Sequence, residues 1–516
     1  MSDTHSRTVQ SDTAHSKFRM ILVGFAFLLQ LSVAILFVLR FQEHIVWASG
    51  VLQLLALIVT FFIVGSDSNS AFKITWLVFI GLTPVVGLIV YLLLGNPNAT
   101  RISKKAFNKN HRTLMQFLQR SNATLTQLDK TDKGIANQFR YLQKQASYPT
   151  YTHTDVQFYS DASDGLEAQL RDLDKAEHFI FMDYHAIEDG ESFQRISRIL
   201  ARKAQQGVEV RLMYDDVGSV SFINRSFIKK MRSLGIQCKV FNPLLPFLNI
   251  FVNNRDHRKI TVIDGRVGFT GGYNLANEYF NIDSPYGHWK DTGLRLEGDA
   301  VQSLTASFLE MWHYEHKDDE DFSEYLQLPQ HTAREHGYAA PFADSPLDNE
   351  QTAEDVYLNA IKNATISVYI ATPYFIISDE MNRELALAAQ RGVDVHIITP
   401  GIPDKKLIFR VTRSYYGRLA HKGVHIHEYT PGFIHAKQVL VDDELAIVGT
   451  INFDYRSLYH HFENAVLLYG FDAIRDVKDD FERTLAASAD VTAEHVDKTS
   501  LTKFSDIVLR LMAPLF

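Results

Sequence analysis

The chain has 516 residues, 46% of them hydrophobic and 22% charged, which excludes a disordered chain and supplies more than one sizeable core. A formal net charge of −8 offers no basic surplus for neutralising nucleic-acid phosphates, so no nucleic-acid partner is expected. The single cysteine, Cys238, excludes a disulfide framework and a multi-thiolate metal site, and its apolar neighbours in residues 235–241 predict a buried strand.

Three apolar runs open the chain, at residues 20–39, 45–64 and 74–94. Each approaches the roughly 20 helical residues needed to cross a hydrocarbon core of about 30 Å, so residues 1–95 read as a multi-pass membrane anchor. The first run is too long for a secretory h-region and is not followed by a small-x-small site before Arg40, so it is expected to be retained. Arg101, Lys104, Lys105, Lys109 and Arg112 follow the third run and favour the cytoplasmic side for all that follows; the same cluster suits anionic headgroups.

Residues 96–150 are polar, with a helix-compatible stretch at 110–119, and read as a connector. Two similar halves come next, expected over 151–316 and 349–516, with an acidic, histidine- and proline-containing linker at 317–348. Each half has an amphipathic helix that ends at a glycine and enters a valine-rich strand, residues 204–210 in one and 389–395 in the other. Alternating helices and strands predict an α/β fold, and recurrence of the pattern predicts two pseudo-symmetric lobes, each a mixed β-sheet flanked by helices.

One short pattern occurs in both halves. His257-Arg-Lys259-Ile-Thr-Val-Ile-Asp264 and His435-Ala-Lys437-Gln-Val-Leu-Val-Asp442 share the form H-x-K-x-x-x-x-D. Each leads to a small-residue turn ending in asparagine, Gly271-Gly272-Tyr-Asn274 and Gly449-Thr450-Ile-Asn452, and every matched position is 178 residues from its counterpart, as 435 is from 257 and 452 from 274. Alternation along a strand turns His and Lys at i and i+2 to one face. Two lobes meeting face to face would bring together two imidazoles, two ammonium groups and two amides. That set suits in-line attack on a phosphodiester, with one histidine as nucleophile, the other as general acid, and Lys and Asn donors on the phosphoryl oxygens.

An imidazole nucleophile needs its tautomer fixed by a carboxylate on the other ring nitrogen. Asp291 and Glu463, each preceding an apolar strand, are the expected orienters. Asp264 and Asp442 complete the repeated motif and are candidate site residues, yet they stand at probable strand-end turns where a structural role is the alternative. The lysine beside each histidine would repel a cation, so no metal is expected.

The twin motifs resemble those of the phospholipase D superfamily, and longer phrases resemble the cardiolipin synthase family within it. These include Lys73-Ile-Thr-Trp76, Pro403-Asp-Lys-Lys406, Arg413-Ser-Tyr-Tyr416, Pro431-Gly-Phe-Ile-His-Ala-Lys437, Asn452-Phe-Asp-Tyr-Arg-Ser457 and Arg510-Leu-Met-Ala-Pro-Leu-Phe516. The resemblance implies N-terminal transmembrane helices followed by two phospholipase D-like lobes sharing one active site. It implies transfer of a phosphatidyl group from one phosphatidylglycerol to another, giving cardiolipin and glycerol through a phosphatidyl-histidine, with no cofactor. His257 is expected as nucleophile and His435 as acid/base. The chain departs from the family at Asp256 and at Tyr459-His-His461, where an asparagine is expected near position 461. Phe247, Phe251, Tyr415 and Tyr416 are candidates either for acyl-chain contact or for the core.

Overall fold

The computed structural model describes residues 46–95, 101–244, 253–315, 321–329, 331–348, 350–496 and 504–515, with scattered residues between 21 and 36. The first apolar run and Phe247 and Phe251 therefore fall largely or wholly outside the described residues.

The first lobe is a seven-stranded sheet built from Thr154–Tyr159 (β1), Phe179–Tyr184 (β2), Glu209–Asp215 (β3), Gln237–Phe241 (β4), Lys259–Ile263 (β5), Val267–Gly271 (β6) and Gly293–Gly298 (β7), in the order β1-β7-β6-β5-β2-β3-β4. The second lobe uses Tyr338–Asp344 (β8), Ser367–Ala371 (β9), Asp394–Pro400 (β10), His425–Tyr429 (β11), Gln438–Val441 (β12), Leu445–Gly449 (β13), His461–Tyr469 (β14) and Ser488–Asp490 (β15), in the order β8-β14-β13-β12-β9-β10-β11-β15. The two orders superimpose strand for strand, β15 being added at one edge. In both, parallel pairing (β2 with β3, β9 with β10) is confined to one half of the sheet. Those strands are fed by right-length amphipathic helices such as Glu191–Gln205 and Asp379–Gln390, whose apolar faces cover the sheets. Gly207 (φ +92) and Gly392 (φ +97) end these helices in the left-handed region, which a side chain would strain.

β8 lies inside the stretch read as a linker. It pairs with β14 over seven residues and is buried from Ala339 to Asp344, the small and apolar run Ala-Ala-Pro-Phe-Ala fitting a strand covered on both faces. The connector likewise proves to be packed structure. Its helices Arg101–Met115, Asn122–Thr131 and Lys133–Lys144 bury Phe107, Leu114, Leu128, Phe139 and Leu142 in the same core as the second lobe.

Near the N-terminus, residues 45–64 form the helix Val46–Val64, with Leu54, Phe61 and Phe62 exposed. The third apolar run is not one helix. It divides at Thr83-Pro84 into Ser70–Leu82 and Pro84–Val90, followed by a π-helical turn, Tyr91–Gly95, because proline cannot donate to the preceding turn. Among the described residues no helix is long and apolar enough to cross a membrane. The helix Ser70–Leu82 is tied to the second lobe instead. Phe72 packs its ring edge-on against Tyr455, Tyr459 and His460, Asn69 Nδ2 donates to the Tyr459 hydroxyl at 2.8 Å, and Thr75 Oγ1 donates to the Leu511 carbonyl at 2.7 Å.

Candidate active site

The strands that follow the two histidines, β5 and β12, run up the middle of their sheets. β5 pairs with β2 so that Lys259 stands opposite Tyr184, and β12 pairs with β9 so that Gln438 stands opposite Ala371. The segment just before each of the two strands leaves its own sheet and pairs with the other lobe. Arg255–Asp256 runs parallel to the start of β14 in the register Arg255↔His461, and Gly432–Ile434 runs parallel to His288–Lys290 in the register Gly432↔His288. Two residues along the first ribbon, His257 meets Glu463; three along the second, His435 meets Asp291.

The orienting pairs are therefore exchanged between lobes. His257 Nδ1 lies 2.9 Å from Glu463 Oε2, and its backbone N–H donates to the Phe462 carbonyl at 2.9 Å. His435 Nδ1 lies 2.6 Å from Asp291 Oδ2, and its N–H donates to the Lys290 carbonyl at 2.7 Å. Both residues named from sequence as orienters sit on imidazoles, and each serves the histidine of the opposite half. With Nδ1–H given to a carboxylate, Nε2 of each ring keeps its lone pair for chemistry.

Close approach is enforced by small residues. A Cβ on Gly272 would lie 2.0 Å from Asp291 Oδ1, and one on Gly432 would lie 2.2 Å from the His288 carbonyl. At the position matching Gly272 stands Thr450, whose hydroxyl donates to Glu463 Oε2, so the longer carboxylate is held by a side chain where the shorter one needs empty space. Thr450 and Asn464 were not read from the sequence as part of the site; Asn464 joins the halves by donating to Thr270 Oγ1 at 2.8 Å.

Lys259 and Lys437 are buried, and each ammonium donates to the carbonyl of the histidine two residues before it. Burial brings Lys259 down to about 8 and Lys437 to about 7. Burial, then Lys259, His185, His461 and Lys437, hold the His257 imidazole well below its ordinary value. Burial and Lys437, with Lys259 adding to the effect and Asp291 opposing it, bring His435 to about 3. Each lysine thus acts on the histidine of both lobes, and both imidazoles are neutral near pH 7. Glu463 is pushed up by burial, with Lys259 and the Thr450 hydroxyl pulling the other way.

Asn274 and Asn452 are both buried near this centre. Asn274 Oδ1 accepts from Ala186 N–H at 3.1 Å and its Nδ2 donates to the Tyr279 hydroxyl at 2.7 Å, while Asn452 hydrogen-bonds Asp454. Asp264 and Asp442 are elsewhere. Asp264 accepts from the backbone N–H groups of Glu177, His178 and Phe179, each at 2.8 Å, and Asp442 accepts from Thr365, Ile366 and Ser367 at 2.7–2.9 Å, both with φ +53. Each carboxylate clamps the entry of a neighbouring strand at the end of β5 or β12 remote from the histidine. Asp256, the departure from the family pattern, is one side of a buried ion pair with Arg258 at 2.9 Å that also engages Asp183.

Two further histidines surround His257. The His185 ring is 4.9 Å from it and His461 is 5.4 Å away, with His461 Nδ1 3.6 Å from Glu463 Oε1. His257, His461 and Glu463 have ligand atoms mutually within 4.8 Å, spacing that a cation could use, and any positive charge on Lys259 and Lys437 opposes one there. Around His435 the neighbours are aromatic: Tyr279 and Trp289 at 5.2 Å and Phe433 at 5.9 Å. Of the two added histidines, His461 was marked in the sequence as a departure from the family pattern, and His185 was not. Tyr415 and Tyr416 belong to the core, Tyr416 sharing a hydrogen bond of 2.6 Å with Thr399. Cys238 lies buried in β4 as expected, its thiol pushed up to about 12 by burial.

Residues 170–312 and 357–485 match the family described as cardiolipin synthase, PLD-like domain, and residues 51–96 match a phospholipase D-nuclease N-terminal family. A protein of Streptococcus mutans bearing no functional name is 42% identical over 88% of this chain and 98% of its own length. Cardiolipin synthase 2 of Bacillus cereus is 35% identical over 86% of each chain. Among solved structures, a phosphatidylserine synthase of Haemophilus influenzae shares the fold, with a TM-score of 0.57 at 13% identity, over 74% of this chain and 100% of its own.

Proposed function

We propose a catalytic cycle from one premise: the chain belongs to the cardiolipin synthase family and is a phospholipid phosphatidyltransferase. The reading is that one phosphatidylglycerol donates a phosphatidyl group and a second accepts it, giving cardiolipin and glycerol. The observation carrying it is the crossed set of two buried neutral imidazoles, each with Nδ1 on a carboxylate of the opposite lobe, beside two buried lysines.

The donor's phosphodiester binds between Lys259 and Lys437, with the amides of Asn274 and Asn452 nearby. Its negative charge raises the proton affinity of His435, which takes up a proton on Nε2. His257 Nε2 attacks phosphorus in line; the P–N bond forms, the bond to glycerol oxygen breaks, and His435 gives its proton to the departing alkoxide. Glycerol leaves. The hydroxyl of the second phosphatidylglycerol then passes its proton back to His435 as its oxygen attacks phosphorus, the P–N bond breaks and His257 is restored. The lysines hold charge on the non-bridging oxygens throughout. Asp264 and Asp442 take no part.

The lipid substrates fit a multi-pass N-terminal anchor with both lobes on the cytoplasmic side of the cell membrane. Exposed Leu54, Phe61, Phe62 and Leu82 support seating of the N-terminal helices in a bilayer, and Phe72 links them to the segment carrying His461. The test is mass spectrometry of products after purified protein meets phosphatidylglycerol vesicles without nucleotide. Cardiolipin with equimolar glycerol is expected, lost in His257→Ala; phosphatidic acid as the sole product would replace transfer with hydrolysis.

A further inference from the structure

On the second sheet, at the end where β10 and β11 begin, lies a cluster of histidines that the catalytic cycle does not use. Asp394 and His396 alternate on β10, and His425 and His427 alternate on β11, in the register His396↔His425. Alternation therefore turns all four to one face. His396 Nε2 lies 3.0 Å and His425 Nε2 3.6 Å from the same oxygen, Asp394 Oδ1. All three ligand atoms are mutually within 4.8 Å.

A tetrahedral ion with bonds of about 2.0–2.1 Å to nitrogen and oxygen separates its ligand atoms by about 3.3 Å. The two measured separations bracket that value. The other nitrogen of His396, Nδ1, lies 3.0 Å from His427 Nε2, an acceptor that would fix the tautomer leaving Nε2 free to ligate. Tyr369 stacks on the same ring at 5.1 Å and 11°, locking its plane. Asp490 on β15 faces His427 across the sheet and adds negative charge. In contrast to the centre at His257 and His435, the hydrogen-bond, ion-pair and ring partners of this cluster among the described residues include no lysine or arginine. Asp394 and His425 are half exposed, so an ion can enter and a water can fill a fourth position.

We propose that Asp394, His396 and His425 form a binding site for a divalent transition-metal ion such as Zn²⁺, positioned by His427, which staples β10 to β11 at the open end of the second sheet. Imidazole and carboxylate donors in a three-ligand set suit Zn²⁺, with Co²⁺ as its spectroscopic substitute.

The experiment titrates full-length protein in detergent micelles, first stripped with chelator, with Co²⁺ and then Zn²⁺. One equivalent of Co²⁺ giving tetrahedral visible bands, displaced by Zn²⁺, is expected in the wild type and equally in His257→Ala. Affinity falls by about tenfold or more in His425→Gln and in Asp394→Asn, whose exposed side chains leave folding intact. Zn²⁺ raises the unfolding temperature of the wild type and not of these two variants. Metal-free transferase activity is unchanged in His425→Gln. Bands unaltered in both variants, bands lost in His257→Ala, or no saturable Co²⁺ binding would each overturn the site.

Discussion

His257 and His435 occupy equivalent positions in two lobes with one strand order, yet they sit in different surroundings. His257 lies among His185 and His461, with Glu463 held by Thr450. His435 lies among Tyr279, Trp289 and Phe433, with Asp291 in the space left by Gly272. Duplication placed the same residue types in both lobes, and divergence around them is what can assign two different tasks. A neutral ring flanked by further imidazoles suits attack on phosphorus. A ring boxed by aromatics gains proton affinity chiefly when an anion arrives, as an acid must.

The sharpest way to break this asymmetry is a donor whose leaving group needs no proton. With phosphatidyl-p-nitrophenol, His257→Ala is expected to lose at least about 10⁴-fold in rate with no nitrophenolate burst. His435→Ala keeps the burst, because nitrophenolate leaves without a proton, but loses about 10²–10⁴-fold in the first step with phosphatidylglycerol and in acceptor attack with either donor. Bursts of equal size in both variants would remove the assignment. Next come the crossed carboxylates. Glu463→Gln and Asp291→Asn leave the wrong tautomer and should lower kcat by up to about 10⁴-fold, measured at saturating lipid with far-ultraviolet circular dichroism unchanged.

The lysines give a pH test. In free enzyme Lys437 loses its charge near 7 and Lys259 near 8, so kcat/KM should fall as pH rises through that window, while kcat, governed by the anion-bound complex, holds to higher pH. Both lysines are lower in the folded state than their ordinary value of 10.5. The unfolded chain therefore binds more protons between about 7 and that value, and these two groups make stability rise with pH there. The smallest effect belongs to the motif aspartates. Asp264→Asn or Asp442→Asn should cost about 1–3 kcal/mol of stability by denaturant titration, with kcat near wild type. A collapse of kcat in the folded variants would return these residues to the chemistry.

Much of the site was legible in the sequence because the chemistry is duplicated. A repeat offset of 178 residues picks out His257, Lys259, Asn274 and their partners without any coordinates. Cys238 was legible for a simpler reason, strand periodicity around it. Harder to read were the helices of residues 96–150, whose polar outer faces hide inward stripes, and the strand β8, a short run of small residues around a proline; the partners of β8 are over a hundred residues away in the chain. The third apolar run, read as one span, breaks at Thr83-Pro84, where the proline removes a backbone donor.

The order of residues alone gave two α/β lobes, the histidines and lysines that recur in both, and Asp291 and Glu463 as carboxylates ahead of apolar strands, since all of these follow from local period and repetition. Only the tertiary structure decided that each carboxylate serves the opposite lobe, that His185 and His461 gather at one imidazole and aromatics at the other, and that Asp264 and Asp442 clamp strands. Those outcomes depend on the parallel ribbons joining Arg255 to His461 and Gly432 to His288, pairings between segments far apart in the chain whose register no local pattern encodes.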